Sequence, residues 1–477
     1  MNEKVLNQAA AAAFFALSLG LFIWWMLFNP VKDFIEHVPG MDNRPKTAAA
    51  SGSAAVIGSH FAAFGGVPSK LAGSWPRFRG ADFDNISKEQ IRLADSWPEG
   101  GPPILWSIDL GEGHAGPAIS DGRVYLLDYD ERTRADILRC FSMDDGSEIW
   151  QRGYKLYIKR NHGMSRTVPA VWSNYVVTVG PKCHVMCVDA VSGDFKWGLD
   201  LVKDFGAEVP LWYTGQCPLI EDSLAVIAVG GKSLLAAVHC ETGQIIWETP
   251  NPNNWKMSHS SIIPMTINNQ KMYVYAALGG IAGVKADGPD AGSILFESSL
   301  FSPNVAAPSP VYAGGGRIFI TAGYGAGSMM LQVKEKDGAF QLEAVQTIKS
   351  NEGLAAEQQT PVLYKGHFFS ILPKDAGSLR NQFVCVHPDD CKKVIWTSGK
   401  TNRFGLGPYL IADDKFYILD DDGTLTMIEA GIKEYKQLAR VKILDGHDAW
   451  GPLAIVKGRL LARDSRRLVC IDVRAKI

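Results

Sequence analysis

Eight prolines recur 44 to 52 residues apart: Pro117, Pro169, Pro218, Pro264, Pro310, Pro361, Pro408 and Pro452. Each opens the same pattern of an apolar pair, a polar turn and a β-branched or aromatic run. The clearest copy is residues 167–197, TVPAVWSNYVVTVGPKCHVMCVDAVSGDFKW. It reads as three short strands and the start of a fourth, turned at Ser173-Asn174, at Pro181-Lys182 and between Asp189 and Gly193. Pro, Gly, Asn and Asp at such intervals signal an antiparallel meander. One sheet of this size cannot bury both its faces, so it must pack on its own copies. That period in an all-β chain predicts a propeller with one four-stranded sheet per blade. A β-helix would repeat more tightly, and a row of immunoglobulin-like domains would need about twice the length per unit.

A second mark closes several units: Trp150, Trp197, Trp247 and Trp396, with Phe296 in the same place in the fourth. Units five and seven lack the aromatic. The last unit supplies only three strands, while residues 104–110, ILWSIDL, form an orphan strand that carries Trp106 at the mark. Pairing that strand beside residues 468–473 would complete an eighth blade and remove the open edges. The expectation is an all-β, eight-bladed propeller of four-stranded antiparallel blades over residues 75–477, behind an N-terminal transmembrane helix.

That helix is expected at residues 9–28, twenty residues without a charge, enough to cross a bilayer. Trp24 and Trp25 sit near one end, where interfacial aromatics belong, and Asn29-Pro30 follows. A cleaved signal peptide is the alternative; the bulky end of the run, without a small-residue cleavage site, argues against it. Lys4 precedes the run and Lys32, Arg44 and Lys46 follow it, so positive charge by itself mildly favours the opposite orientation. Residues 1–8 are taken as a cytoplasmic N-terminus, and 29–74, rich in small residues and without a strand pattern, as a tether. A formal net charge of −2 argues against a nucleic-acid partner.

Residues 74–87, SWPRFRGADFDNIS, and the turn D-x-x-S-G-x-x-x-W at 189–197, near-complete again at 239–247, resemble the pyrroloquinoline-quinone-like (PQQ-like) β-propeller repeat family. That family includes quinoprotein alcohol dehydrogenases and the outer-membrane assembly propeller BamB. The likeness covers residue 75 onward and implies a membrane-anchored bacterial member on the periplasmic side of the inner membrane. The fold hosts enzymes and scaffolds alike. The resemblance therefore implies a binding or scaffold module of the cell envelope with a protein partner, or, alternatively, a PQQ-dependent dehydrogenase with its site at the channel mouth. It allows PQQ with calcium. However, the vicinal cysteine pair that such dehydrogenases set against the cofactor is absent, and their calcium ligands have no assignable counterparts here.

Topology gathers the loops before the leading prolines on one face, around the axis. They carry His114, Arg166, Gln216, His259, Gln358, Gln359, Arg403, His447, Asp448 and Trp450. Either these side chains satisfy loop backbone in a wet mouth, or they converge on a small-ligand site. In the second reading Arg166 and Arg403 select an anion. Trp450 stacks a flat ring, and Asp448 is the candidate general base, with His447 or His259 beside it. No metal site is expected: Asp420-Asp421-Asp422-Gly423 with Glu429 mimics half a calcium loop but has Ile418 at the first ligand position, and so reads as a tight turn. Residues 128–134 read as a solvated hairpin tip. Cys140, Cys187, Cys385 and Cys470 fall at equivalent third-strand positions and read as small buried hydrophobes.

Overall fold

The computed structural model describes residues 2–28 and 55–475. The N-terminal unit contains one helix, Glu3–Leu27, starting earlier than the apolar run expected from residue 9. It is long and apolar enough to cross a membrane.

The second unit is a ring of eight antiparallel meanders, seven of four strands and one of five. The blade of residues 167–197 has strands Ala170–Trp172, Tyr175–Val179, His184–Asp189 and Phe195–Asp200. Leading prolines stand immediately before six of the innermost strands, where a fixed φ suits the entry and a missing N–H costs nothing. Pro264 instead lies one residue inside Ile263–Ile267, and Pro452 two residues before Ala454–Val456. Middle strands, covered by a blade on either side, are buried almost throughout, whereas outer strands are partly exposed.

The aromatic marks lock neighbouring blades. Trp106, Trp150, Trp197 and Trp247 each lie on a turn glycine of the next blade: Gly146, Gly193, Gly243 and Gly292. A Cβ there would stand 2.7–2.8 Å from the indole, and all four glycines have φ between 71° and 89°. Only glycine meets both demands. The Trp197 Nε1 donates to the Cys240 carbonyl of the next blade at 2.7 Å. Opposite each indole in its own sheet stands a small residue: Cys140 faces Trp150, Cys187 faces Trp197, Cys385 faces Trp396, Cys470 faces Trp106, and Ala237 faces Trp247. These cysteines are spacers beneath the rings, and all eight in the chain are buried and free. Cys187→Leu is expected to cost about 1–3 kcal/mol by overpacking, read by urea unfolding; an unchanged midpoint would contradict the spacer role.

The ring closes as the sequence predicts. Ile104–Asp109 pairs antiparallel with Arg467–Asp472, with Trp106 opposite Cys470.

Two segments before the first blade differ from expectation. Residues 29–54 of the expected tether lie outside the described residues. Residues 55–74 are not a tether: His60–Ala63 adds a fifth strand to the outer strand Glu148–Lys155 of the first blade. Arg152 stacks 4.2 Å over Phe61, and the amides of Phe64 and Gly66 continue the pairing onto the carbonyls of Ile149 and Glu148. Four residues, HFAA, are too few to show alternation; an open edge recruits them.

The stretch 75–95 crosses the ring from within. Trp75 bridges Ile119 of the first blade, and the Pro76 carbonyl accepts from Val171 of the second. Arg77 donates to Ile220 O of the third at 2.8 Å. Arg79 reaches the Thr360 and Pro361 carbonyls of the sixth at 3.1 and 3.4 Å, and Ile86 bridges Ile411 of the seventh. Innermost strands would otherwise leave unpaired backbone facing the axis. This plug satisfies part of it and carries Phe78 to the cavity described next.

Candidate functional site

The loops preceding the innermost strands of all eight blades line one cavity of about 340 Å³, joined by Phe78 of the plug. A relay of backbone amides sets their spacing. Val168 N donates to Cys217 Sγ, Cys217 N to Ser261 Oγ, Ser261 N to Ser309 Oγ and Ser309 N to Thr360 Oγ1, at 2.9–3.2 Å. Each donor lies at the entry to one inner strand and each acceptor at the entry to the next.

Arg166 dominates the electrostatics. Its Nε donates to Trp212 O at 2.5 Å, and its Nη2 to Asn161 O at 2.9 Å and His162 O at 2.6 Å. Among the described residues no carboxylate pairs with it. Burial lowers its pKa to about 10. Two imidazoles face the same cavity. His114, buried, contacts the His162 carbonyl through Nε2 at 3.0 Å and lies 4.9 Å from the Trp450 ring. Burial first, then Arg166 and Arg463, bring its pKa down to about 3. His259 is held down to about 4 by burial and by Arg166. Both are therefore neutral at pH 7. The one lining carboxylate, Glu357, is paired with Lys374 at 3.2 Å.

Of the residues expected from the sequence, His114, Arg166, His259, Gln358, Gln359 and Trp450 line the cavity. Gln359 also ties two loops together, its Nε2 donating to Leu406 O at 3.0 Å. Four others do not line it. Gln216 is fully buried behind the wall, its Nε2 on Ala228 O at 3.3 Å, because Gly215 and Cys217 on either side take the inward positions. Arg403 braces the neighbouring loop through the Arg380, Ser378 and Lys400 carbonyls, so it is not a second anion ligand in the cavity. His447 and Asp448 hydrogen-bond each other at 2.9 Å at an exposed turn, where Asp448 has φ 55°. This conformation leaves Trp450 as the member of its loop that lines the cavity, and a general base at Asp448 would lie off the wall.

Sequence reasoning missed Phe78, Trp212, Tyr324 and the Glu357–Lys374 pair. Trp212 lies further from its leading proline Pro218 than Gln216 does, while Tyr324 and Lys374 come from loops between second and third strands. The 420–423 segment is a tight turn, as expected, yet Asp421 also works for the site. Its carboxylate accepts from Leu406 N and from Trp450 Nε1, both at 2.7 Å, and fixes the indole.

Calcium takes six to eight oxygen ligands. The wall offers one carboxylate, already engaged by Lys374, and among the described residues no group of three His, Cys, Asp or Glu side chains is placed to hold a metal. This donor set does not fit a calcium-bound quinone; one uncompensated guanidinium suits a carboxylate.

Residues 134–363 match the family model described as outer membrane protein assembly factor BamB. The match covers just under half of the chain. No curated protein matches its sequence. The propeller is similar to the crystal structure of BamB from Moraxella catarrhalis, at 13% identity and a TM-score of 0.51, over 78% of this chain and 99% of that one. Quinohemoprotein alcohol dehydrogenase from Comamonas testosteroni gives 12% and 0.58, over 85% and 81%. The enzyme from Pseudomonas putida HK5 gives 14% and 0.54 over the same shares. At such identities the likeness is one of fold.

Proposed function

We propose that this protein is a membrane-tethered binding module of the bacterial cell envelope. Its propeller stands on the periplasmic side of the inner membrane and holds a carboxylate-bearing protein partner at the hub without transforming it. The observation that carries this reading is Arg166, a half-buried guanidinium fixed by backbone carbonyls and, among the described residues, without a carboxylate partner. Such a cation is preorganised for an anion brought from outside. The groups around it support holding rather than chemistry. An imidazole with a pKa of about 3 is a poor general base at pH 7, and Glu357 is tied to Lys374. The apolar helix Glu3–Leu27 and the likeness to an outer membrane assembly factor support the envelope setting.

The test uses the full chain in detergent. Addition of PQQ and calcium is expected to give no dye-linked oxidation of alcohols above background, and size-exclusion with light scattering is expected to reveal a one-to-one complex with an envelope protein. Quinone-dependent turnover would overturn the reading in favour of a dehydrogenase.

A further inference from the structure

The cavity opens into an apolar, basic surface that a small ligand inside would leave unused. Tyr157 is 62% exposed, Leu211 74% and Tyr324 58%. Large apolar side chains exposed together around a mouth mark an interaction site. Contacts between neighbouring side chains and loops run along this face across several blades. Arg134 stacks 5.3 Å over the Tyr157 ring, and Tyr213 donates its hydroxyl to Lys159 O. Asn161 Nδ2 donates to Leu211 O at 2.8 Å. Trp212 stacks on Tyr324 at 5.9 Å, and Lys374 lies 5.0 Å over the Tyr324 ring.

Basic side chains crowd one stretch of this surface, although Asp375 stands beside the Tyr324 loop and Glu131 and Asp448 lie near Arg160. Residues 155–166 contain Lys155, Lys159, Arg160 and Arg166 and no Asp or Glu, in a chain whose net charge is −2. Among the described residues Lys155, Lys159 and Arg166 make no ion pair, while Arg160 shares the buried Glu112 with Arg466. The acidic residue nearest Leu211 in sequence, Glu208, is taken by Lys256 at 2.7 Å.

We infer that the hub mouth is the docking surface for an acidic, apolar-rich segment of a partner protein: its apolar side chains lie along Tyr157, Leu211 and Tyr324, and one carboxylate reaches Arg166. This rests on the binding-module reading and names the surface and chemistry through which that module binds. The basic rim steers the acidic segment in, and the apolar arc supplies the contact area. The guanidinium at the bottom then selects a carboxylate over an amide, because two charge-assisted hydrogen bonds exceed what an amide offers.

The experiment selects binders from a random dodecamer display library on the full chain in detergent. The best peptide is then measured by fluorescence anisotropy. Enriched peptides are expected to be acidic and apolar. Affinity should fall at least tenfold in Leu211→Ser/Tyr324→Ser and in Lys159→Glu, all exposed positions whose replacement leaves the fold intact, and should fall again as salt is raised. Enrichment without an acidic bias, or equal affinity for the variants, would overturn the inference. So would benzoate displacing the peptide while remaining indifferent to Leu211, which assigns the mouth to a small carboxylate. If an envelope protein still forms a one-to-one complex with Leu211→Ser/Tyr324→Ser, this surface is wrong while the binding-module reading stands.

Discussion

Arg79→Met is expected to lower the unfolding free energy by about 2 kcal/mol or more, because it strips the partner from the Phe83 and Pro361 carbonyls, each costing about 1–3 kcal/mol when left unpaired, and leaves Thr360 O to the Tyr409 hydroxyl alone. Arg79 is 3% exposed. Its guanidinium donates to Phe83 O at 2.7 Å, within its own segment, and to Thr360 O and Pro361 O of the sixth blade. Burial lowers its pKa to about 10, so the charge is retained at pH 7. Methionine keeps most of the stem volume, which isolates the lost hydrogen bonds from a lost filling. The neighbouring residues Trp75, Pro76 and Arg77 hold the first three blades. Loss of Arg79 therefore loosens the middle of a strap whose far end is still held on the seventh blade by Asn85–Ser87. Urea unfolding followed by tryptophan fluorescence reads the stability, and limited proteolysis reads the strap, which should become cleavable within 75–87. A midpoint within error of the parent would show that the plug is ornamental.

The second large effect is acid sensitivity. The folded-state pKa of His114 is depressed to about 3, and that of His259 to about 4, against an ordinary value near 6.5. An unfolded chain binds these protons first. Their neutral burial therefore contributes stability that is present above pH 6.5 and is lost as pH falls from 6.5 towards 4 and 3. Each histidine removes up to about 1.4 kcal/mol per pH unit over its window. His114 carries the fuller effect, since His259 is only partly shielded from solvent. Asp136 works the other way. Its buried carboxyl, accepting from Tyr154 at 2.8 Å, is pushed up to about 7, so its contribution is present at low pH and is lost as pH rises from 3.8 through 7. The informative quantity is thus the difference between proteins. The melting temperature of His114→Gln/His259→Gln should fall less than the parent's between pH 7 and pH 4.5. Parallel curves would contradict the neutral assignment.

The architecture was legible because it is written in repetition. Prolines, turn glycines and tryptophans recur at fixed places, and the geometry that demands them recurs with them: Gly193 must be glycine because Trp150 lies on it. Closure was legible for the same reason, since Trp106 bears the blade mark out of place. The hub was half legible. Topology alone brings the eight loops together, so His114, Arg166, His259 and Trp450 could be gathered from the sequence. Which side chain of a loop turns inward depends on backbone conformation that no pattern announces. Asp448 has a left-handed φ, and Gln216 sits between two inward neighbours. Arg403 was misplaced because three carbonyls of nearby loops claim it. Tyr324 and Lys374 were missed because they come from the other set of loops on that face, and the strand His60–Ala63 because an edge, not a pattern, makes it a strand.

A double-mutant cycle tests the central claim that Arg166 is the carboxylate anchor of the hub. Calorimetric titration would compare the full chain and Arg166→Gln, each with the selected acidic peptide and with its counterpart in which each Glu is Gln and each Asp is Asn. The account predicts a coupling of at least about 1.4 kcal/mol, a factor of ten in affinity, between Arg166 and the peptide carboxylates. Additive losses, with the melting temperature of Arg166→Gln near that of the parent, would contradict it.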